Sequence, residues 1–73
     1  MASVERKVVS VLDVGDIVRA RRRELGITQA QLAQFCGTGN RFISELERGK
    51  QTLEMGKVLL VLRKLEINIT IEY

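Results

Sequence analysis

Glycines at positions 26, 37 and 49 each close a stretch of helically spaced apolar residues, so the middle of this chain must be a succession of short helices. Helices this short are marginal alone in water and persist only where their apolar faces pack together. Ahead of Gly26, Val14, Ile17, Val18 and Leu25 recur at helical spacing, with Asp13 as the expected N-cap and Asp16 on the favourable side of the dipole. Beyond Ile27, Thr28-Gln29-Ala30-Gln31 has the capping-box pattern, and Leu32, Ala33 and Cys36 supply the inner face of a helix that Gly37 ends. A third helix carries Phe42, Ile43 and Leu46 on one face and Asn40, Arg41, Ser44, Glu45 and Arg48 on the other. Thr52 is the expected cap of a fourth helix reaching about Leu65. Its apolar set (Leu53, Met55, Val58, Leu59, Leu60, Val61, Leu62, Leu65) runs nearly all the way round, the pattern of a helix covered on most sides.

The period then changes. Ile67, Ile69, Ile71 and Tyr73 alternate with Asn68, Thr70 and Glu72, a two-residue repeat rich in β-branched side chains. A lone strand leaves its backbone groups unsatisfied. The simplest remedy is antiparallel pairing with the same strand of a second copy, an isologous dimer interface built on Ile67, Ile69, Ile71 and Tyr73. The valine-rich stretch Val8, Val9, Val11 and Leu12 is the competing partner, although residues 1–12 are read here as an arm. The expected organisation is an arm over 1–12, a helical domain over 13–66 and a dimerisation strand over 67–73.

Composition narrows the remaining choices. A domain of 73 residues buries only about 60% of the surface its unfolded chain exposes, so it needs a staple or a partner. One cysteine and no histidine leave no disulfide framework, no ordinary zinc site and no expected cofactor, so a second subunit is the remaining remedy. Cys36 is read as a small core residue. Without histidine, paired carboxylates or a phosphate loop, nothing here performs chemistry, and an enzyme is not expected. Twelve Lys and Arg against nine Asp and Glu give +3, which suits a polyanionic partner. No apolar run reaches membrane-span length, and the first residues lack the apolar core of a secretory signal, so the expected location is the cytoplasm.

Two short helices joined by a glycine-containing turn make the helix-turn-helix arrangement. Ala33 is small where the helices cross, and Gly37 supplies the freedom to take the positive φ that such a turn commonly needs. Ile43 and Leu46 seat the second helix, so its polar face projects outward in a form that fits the DNA major groove.

The run Thr28-Gln29-Ala30-Gln31-Leu32-Ala33, then Gly37, then Ile43-Ser44-Glu45-Leu46-Glu47-Arg48-Gly49, resembles the Xre/Cro family of phage-type repressors. The stretch from Arg19 to Gly26, the run Arg41 to Glu47 and the terminal strand are similar to the HipB-like antitoxin branch of that family. The resemblance implies a mainly α, lambda-repressor-like domain of four to five helices, with one C-terminal strand pairing across a homodimer. It also implies a sequence-specific repressor of double-stranded operator DNA that regulates its own operon and binds a HipA-like kinase toxin. Carried over by position, Asn40, Arg41 and Glu45 are base contacts, and Gln29, Ser44, Arg48 and Lys50 are phosphate contacts. Helical spacing lets either Arg21 or Arg22 border the core. The resemblance selects Arg22, paired with Glu47, and the other arginines of the 19–23 cluster are expected to be mostly solvated. A toxin is expected on the exposed sides of the first and fourth helices and on residues 4–12. A stand-alone phage-type or controller regulator is the alternative within this class. A protein-interaction module with no DNA role is a third reading, against which the outward polar face of Asn40 and Arg41 argues.

Overall fold

The computed structural model of the chain describes residues 4–8 and 10–71. Among these residues the elements run β1 (Val4–Val8), α1 (Val11–Glu24), α2 (Gln29–Cys36), α3 (Asn40–Glu47), α4 (Met55–Lys64) and β2 (Ile67–Ile71). The fold is therefore mainly helical with a C-terminal strand, as expected. One core joins Val18 of α1, Leu32, Ala33 and Cys36 of α2, Ile43 and Leu46 of α3, Val58, Val61 and Leu62 of α4, then Leu65 and Ile67. No described helix is long and apolar enough to cross a membrane.

Local chemistry sets the helix ends, and two of them depart from the sequence reading. Asp13 does not cap α1. Ser10 does, its Oγ accepting from the Asp13 N–H while the Asp13 carboxylate accepts from the Ser10 N–H at 3.0 Å. A reciprocal box satisfies two donors where Asp13 as the cap would satisfy one. Thr52 likewise does not cap α4, which starts after Glu54 with no side-chain cap. Leu53 packs against the core from the connecting segment, and the helix begins only beyond it.

The fourth helix is not covered all round. Val58, Val61 and Leu62 are buried, whereas Met55 and Leu59 are exposed, because no further element among the described residues lies over them. Those two residues border a groove of about 320 Å³, lined also by Val11, Val14 and Leu53.

The terminal strand finds its partner within the chain. β1 and β2 form a parallel two-stranded sheet in which Val4 pairs with Ile67 and Val8 with Ile71. Residues 4–8 are thus strand rather than arm. Of the competing valine-rich stretch only Val8 lies in that strand, while Val11 and Leu12 open α1. A parallel pair needs a long crossover, and here the whole helical domain serves as one. Ile67, expected at a dimer interface, is buried in the chain's own core, and Ile69 packs against that core. Tyr73 lies outside the described residues.

Gly15 brings α1 onto α3. A Cβ built there would stand 2.5 Å from the Leu46 carbonyl oxygen and 2.8 Å from that of Glu47. Arg19 and Arg22 follow four and seven residues later on the same helical face, so this contact aims both at the end of α3.

The last helix closes on Glu66 at φ 58°, a left-handed position usually filled by glycine. Glu66→Gly removes a penalty of about 1–2 kcal/mol and adds chain freedom worth about 0.5–1. The variant should gain roughly 0.5–1 kcal/mol, read as a higher midpoint in urea; an unchanged or lower midpoint would show no strain at Glu66.

Candidate nucleic-acid interface

Two short helices and their turn create the candidate site. Thr28 Oγ1 accepts from the Gln31 N–H at 3.1 Å, and Gln31 Oε1 accepts from the Thr28 N–H at 2.8 Å, so α2 starts where the sequence pattern places it. At its end Gly37 takes φ 72°, and the Thr38 N–H returns to the Ala33 carbonyl at 2.9 Å. Gly39 then opens α3, with no side chain capping that helix. Ile43 and Leu46 are buried beneath α3. Asn40, Arg41 and Arg48 are exposed on it, and Ser44 is half-buried. The first turn of α3 therefore carries an amide and a guanidinium outward, the groups that match adenine and guanine edges in the major groove.

Glu45 is held differently from its neighbours. Its Oε2 accepts from Arg41 Nε at 3.2 Å and from Lys50 Nζ at 3.1 Å, and its side chain is only 14% exposed against 88% for Arg41. The Lys50 ammonium holds its carboxyl below the ordinary range, opposed by partial burial and helped by Arg41. A depressed carboxylate stabilises the fold above its unfolded pKa, and that contribution disappears as the pH falls through the folded value. At neutral pH the three side chains form one network with a net charge of +1.

Behind the face lies a second network. Glu47, at the end of α3, is 3% exposed. Its carboxylate accepts from Arg22 Nε at 2.7 Å, Arg22 Nη2 at 3.1 Å and Gln29 Nε2 at 3.1 Å. The two-point hydrogen bonding to Glu47 raises the Arg22 pKa, against the opposing effect of burial. Arg22 Nη1 also donates to the Ile27 carbonyl at 2.9 Å. Gln29, assigned by resemblance to phosphate, thus gives one amide N–H to Glu47 and keeps a second at the start of α2.

Of the remaining arginines Arg23 is exposed, as expected, but Arg19 and Arg21 are less solvated. Arg19 Nη2 donates to the Glu47 carbonyl and to Asp16, both at 3.1 Å, and Arg21 Nε donates to the Leu65 carbonyl at 3.1 Å. Exposed carbonyls at helix ends attract any cation in reach, and helical periodicity in α1 does not disclose those ends. Gly15 was overlooked as well. Its spacing to Arg19 and Arg22 is the available signal, since a glycine inside a helix often marks a close approach.

Three comparisons bear on this geometry. A helix-turn-helix family model, HTH_3, matches residues 18–71. An HTH-type transcriptional regulator of Sinorhizobium fredii, y4mF, is 42% identical over 66 residues, covering 90% of this chain and 87% of that protein. Among solved structures, a chain of a HipA-HipB-O2-O3 complex superposes with a TM-score of 0.76 at 24% identity, over 86% of this chain and 89% of that one. The restriction-modification controller protein C.AhdI of Aeromonas hydrophila gives 0.68, also at 24% identity, over 80% and 84%. At that identity the two structures establish likeness of fold.

Proposed function

The chain belongs to the HTH_3 helix-turn-helix family of DNA-binding transcriptional regulators, and from that premise we propose that it is a sequence-specific repressor acting as a homodimer. The observation that carries this reading is α3 itself, seated by Ile43 and Leu46 with Asn40 and Arg41 projecting from its first turn. Asn40 and Arg41 read bases, while Gln29, Ser44, Arg48 and Lys50 lie on phosphates. The dimer forms where β2, paired with β1 on one edge, presents its other edge to β2 of a second copy. Two-fold symmetry makes that pairing antiparallel, and it covers an edge that would otherwise invite uncontrolled association.

The two recognition helices then enter successive major grooves about 34 Å apart, and the operator is a near-palindrome. Arg41→Ala should cost about 1–3 kcal/mol on that operator and relax preference at one base pair per half-site, whereas Gln29→Ala should weaken all sequences alike. Footprinting with base-substituted duplexes checks both. A single asymmetric footprint, or an Arg41→Ala chain that discriminates as before, overturns the assignment. Sedimentation equilibrium tests the dimer, and a monomer at micromolar concentration rejects it.

Within this reading the protein is a HipB-like antitoxin whose partner is a HipA-like kinase. The arginine-rich end of α1, the terminal strand and the fold likeness to a chain of the HipA-HipB complex support it. The kinase would sit away from α3, on the outer sides of α1 and α4 and on residues 4–12, where Met55, Leu59 and Val11 are exposed around the apolar groove. Likeness to C.AhdI favours the second reading, a controller without a toxin. Co-expression with a kinase encoded beside this gene, followed by sizing with and without operator DNA, separates them: a ternary complex supports the antitoxin and no complex supports the controller.

A further inference from the structure

A carboxylate on the face of a helix that meets DNA is unfavourable, because it repels the phosphates on either side. Glu45 nevertheless lies there, one turn beyond Arg41, and the chain has arranged two cations around it. Lys50 reaches it from past the end of α3, after the chain reverses at Gly49. The Lys50 N–H donates to the Glu45 carbonyl at 3.1 Å, and its Nζ donates to the Glu45 carboxylate at 3.1 Å. Backbone and side chain of Lys50 thus both anchor Glu45, which explains how a carboxylate only 14% exposed keeps its place.

Arg41 is the opposite case, 88% exposed on a long flexible stem and touching Glu45 through Nε at 3.2 Å. A guanidinium has five N–H donors in a planar fork. Engaging Nε leaves both Nη groups unused, and these form the end-on pair that fits O6 and N7 of guanine. An arginine restrained in this way loses less freedom when it docks. The contact leaves the reading end of the side chain clear and fixes its root.

We propose that Glu45 is a positioning residue for sequence readout: anchored by Lys50, it holds Arg41 by Nε so that the two Nη groups face a guanine, and it reads no base itself. This rests on the proposed role of α3 in DNA recognition. The arrangement predicts effects of opposite sign. Removing the carboxylate takes a negative charge away from the phosphates and strengthens binding to random sequence, yet it frees Arg41 and weakens discrimination at the one base pair Arg41 reads.

The test measures the chain, Arg41→Ala, Glu45→Ala, Glu45→Gln and the double variant Arg41→Ala/Glu45→Ala on duplexes selected from a random library, each base pair then substituted in turn. Glu45→Ala is expected to lower preference three- to tenfold at the same base pair that Arg41→Ala relaxes, while binding to non-specific duplex tightens severalfold at low salt. Glu45→Gln, which keeps an acceptor oxygen, should recover part of the preference. In the Arg41→Ala background, Glu45→Ala should change no preference further. The proposal is overturned if Glu45→Ala relaxes a different base pair, which would make Glu45 a reader. It is also overturned if specific and non-specific binding weaken together, the mark of a merely structural role, or if preference at the Arg41 base pair is untouched. A chain that selects no sequence from the library rejects the DNA reading itself before any variant is compared.

Discussion

Glu47→Ala is expected to lower the stability of the fold by about 3–5 kcal/mol, the range for breaking one side of a buried ion pair. The carboxylate receives two hydrogen bonds from Arg22 and one from Gln29, so a single side chain ties the ends of α1, α2 and α3 together. Without it, a guanidinium that is only 12% exposed keeps its bond to the Ile27 carbonyl but loses its counter-charge. That residual bond places the loss toward the lower end of the range. Total stability for a chain of this length is about 4–11 kcal/mol, so the variant should lose between roughly a quarter and three quarters of it. Urea melts of Glu47→Ala, Arg22→Ala and the double variant give the coupling energy, and a value near zero would show that the pair contributes nothing. Arg22→Lys is not a mild change either, because an ammonium cannot grip both carboxylate oxygens in the plane.

Gly15→Ala should also destabilise, against the direction of helix propensity. Alanine in place of glycine inside a helix ordinarily gains about 1 kcal/mol. Here the added methyl would meet two backbone carbonyl oxygens at 2.5 and 2.8 Å, and backbone cannot rotate aside as a side chain can. The two helices must separate, an overpacking cost of about 1–3 kcal/mol or more. The same displacement pulls Arg19 from the Glu47 carbonyl and Arg22 from the Glu47 carboxylate, so the net loss should be about 2–3 kcal/mol. Thermal melts decide it by sign alone. A Gly15→Ala chain that melts above the parent would show that α1 and α3 are not in this contact.

Features written in a few neighbouring residues were legible in the sequence. The Thr28–Gln31 box, the left-handed Gly37 and the seating of α3 by Ile43 and Leu46 all follow from local spacing, and together they place Asn40 and Arg41 outward. The ion pair was legible only through resemblance, because helical spacing ranks Arg21 and Arg22 equally. Both turn out to be engaged, Arg21 by the end of α4 and Arg22 by the end of α3. What stayed hidden depends on pieces remote in the chain. Residues 4–8 suit a strand or an arm until β2 is placed beside them, and α4 reads as covered all round because an apolar pattern does not say which faces its neighbours reach. At α1 the sequence names Asp13 as the cap, and only the reciprocal bond between Ser10 and Asp13 moves the start of the helix back to Ser10.

The pairing of the first strand with the last has a kinetic meaning. Val4 can meet Ile67 only after nearly the whole chain has been looped back, so this contact carries the largest closure entropy in the molecule. The helices form their contacts over much shorter separations and assemble first. A two-stranded ribbon adds little stability of its own, and this one is held by the burial of Val8 and Ile67 and the packing of Ile69 on the helical core; its backbone amides are expected to exchange through openings of lower free energy than those of the helices. A second copy bound along β2 would stabilise this strand pair by mass action, so the order of residues 4–8 and 67–71 would rise and fall with the protein's own concentration while α3 stayed in place.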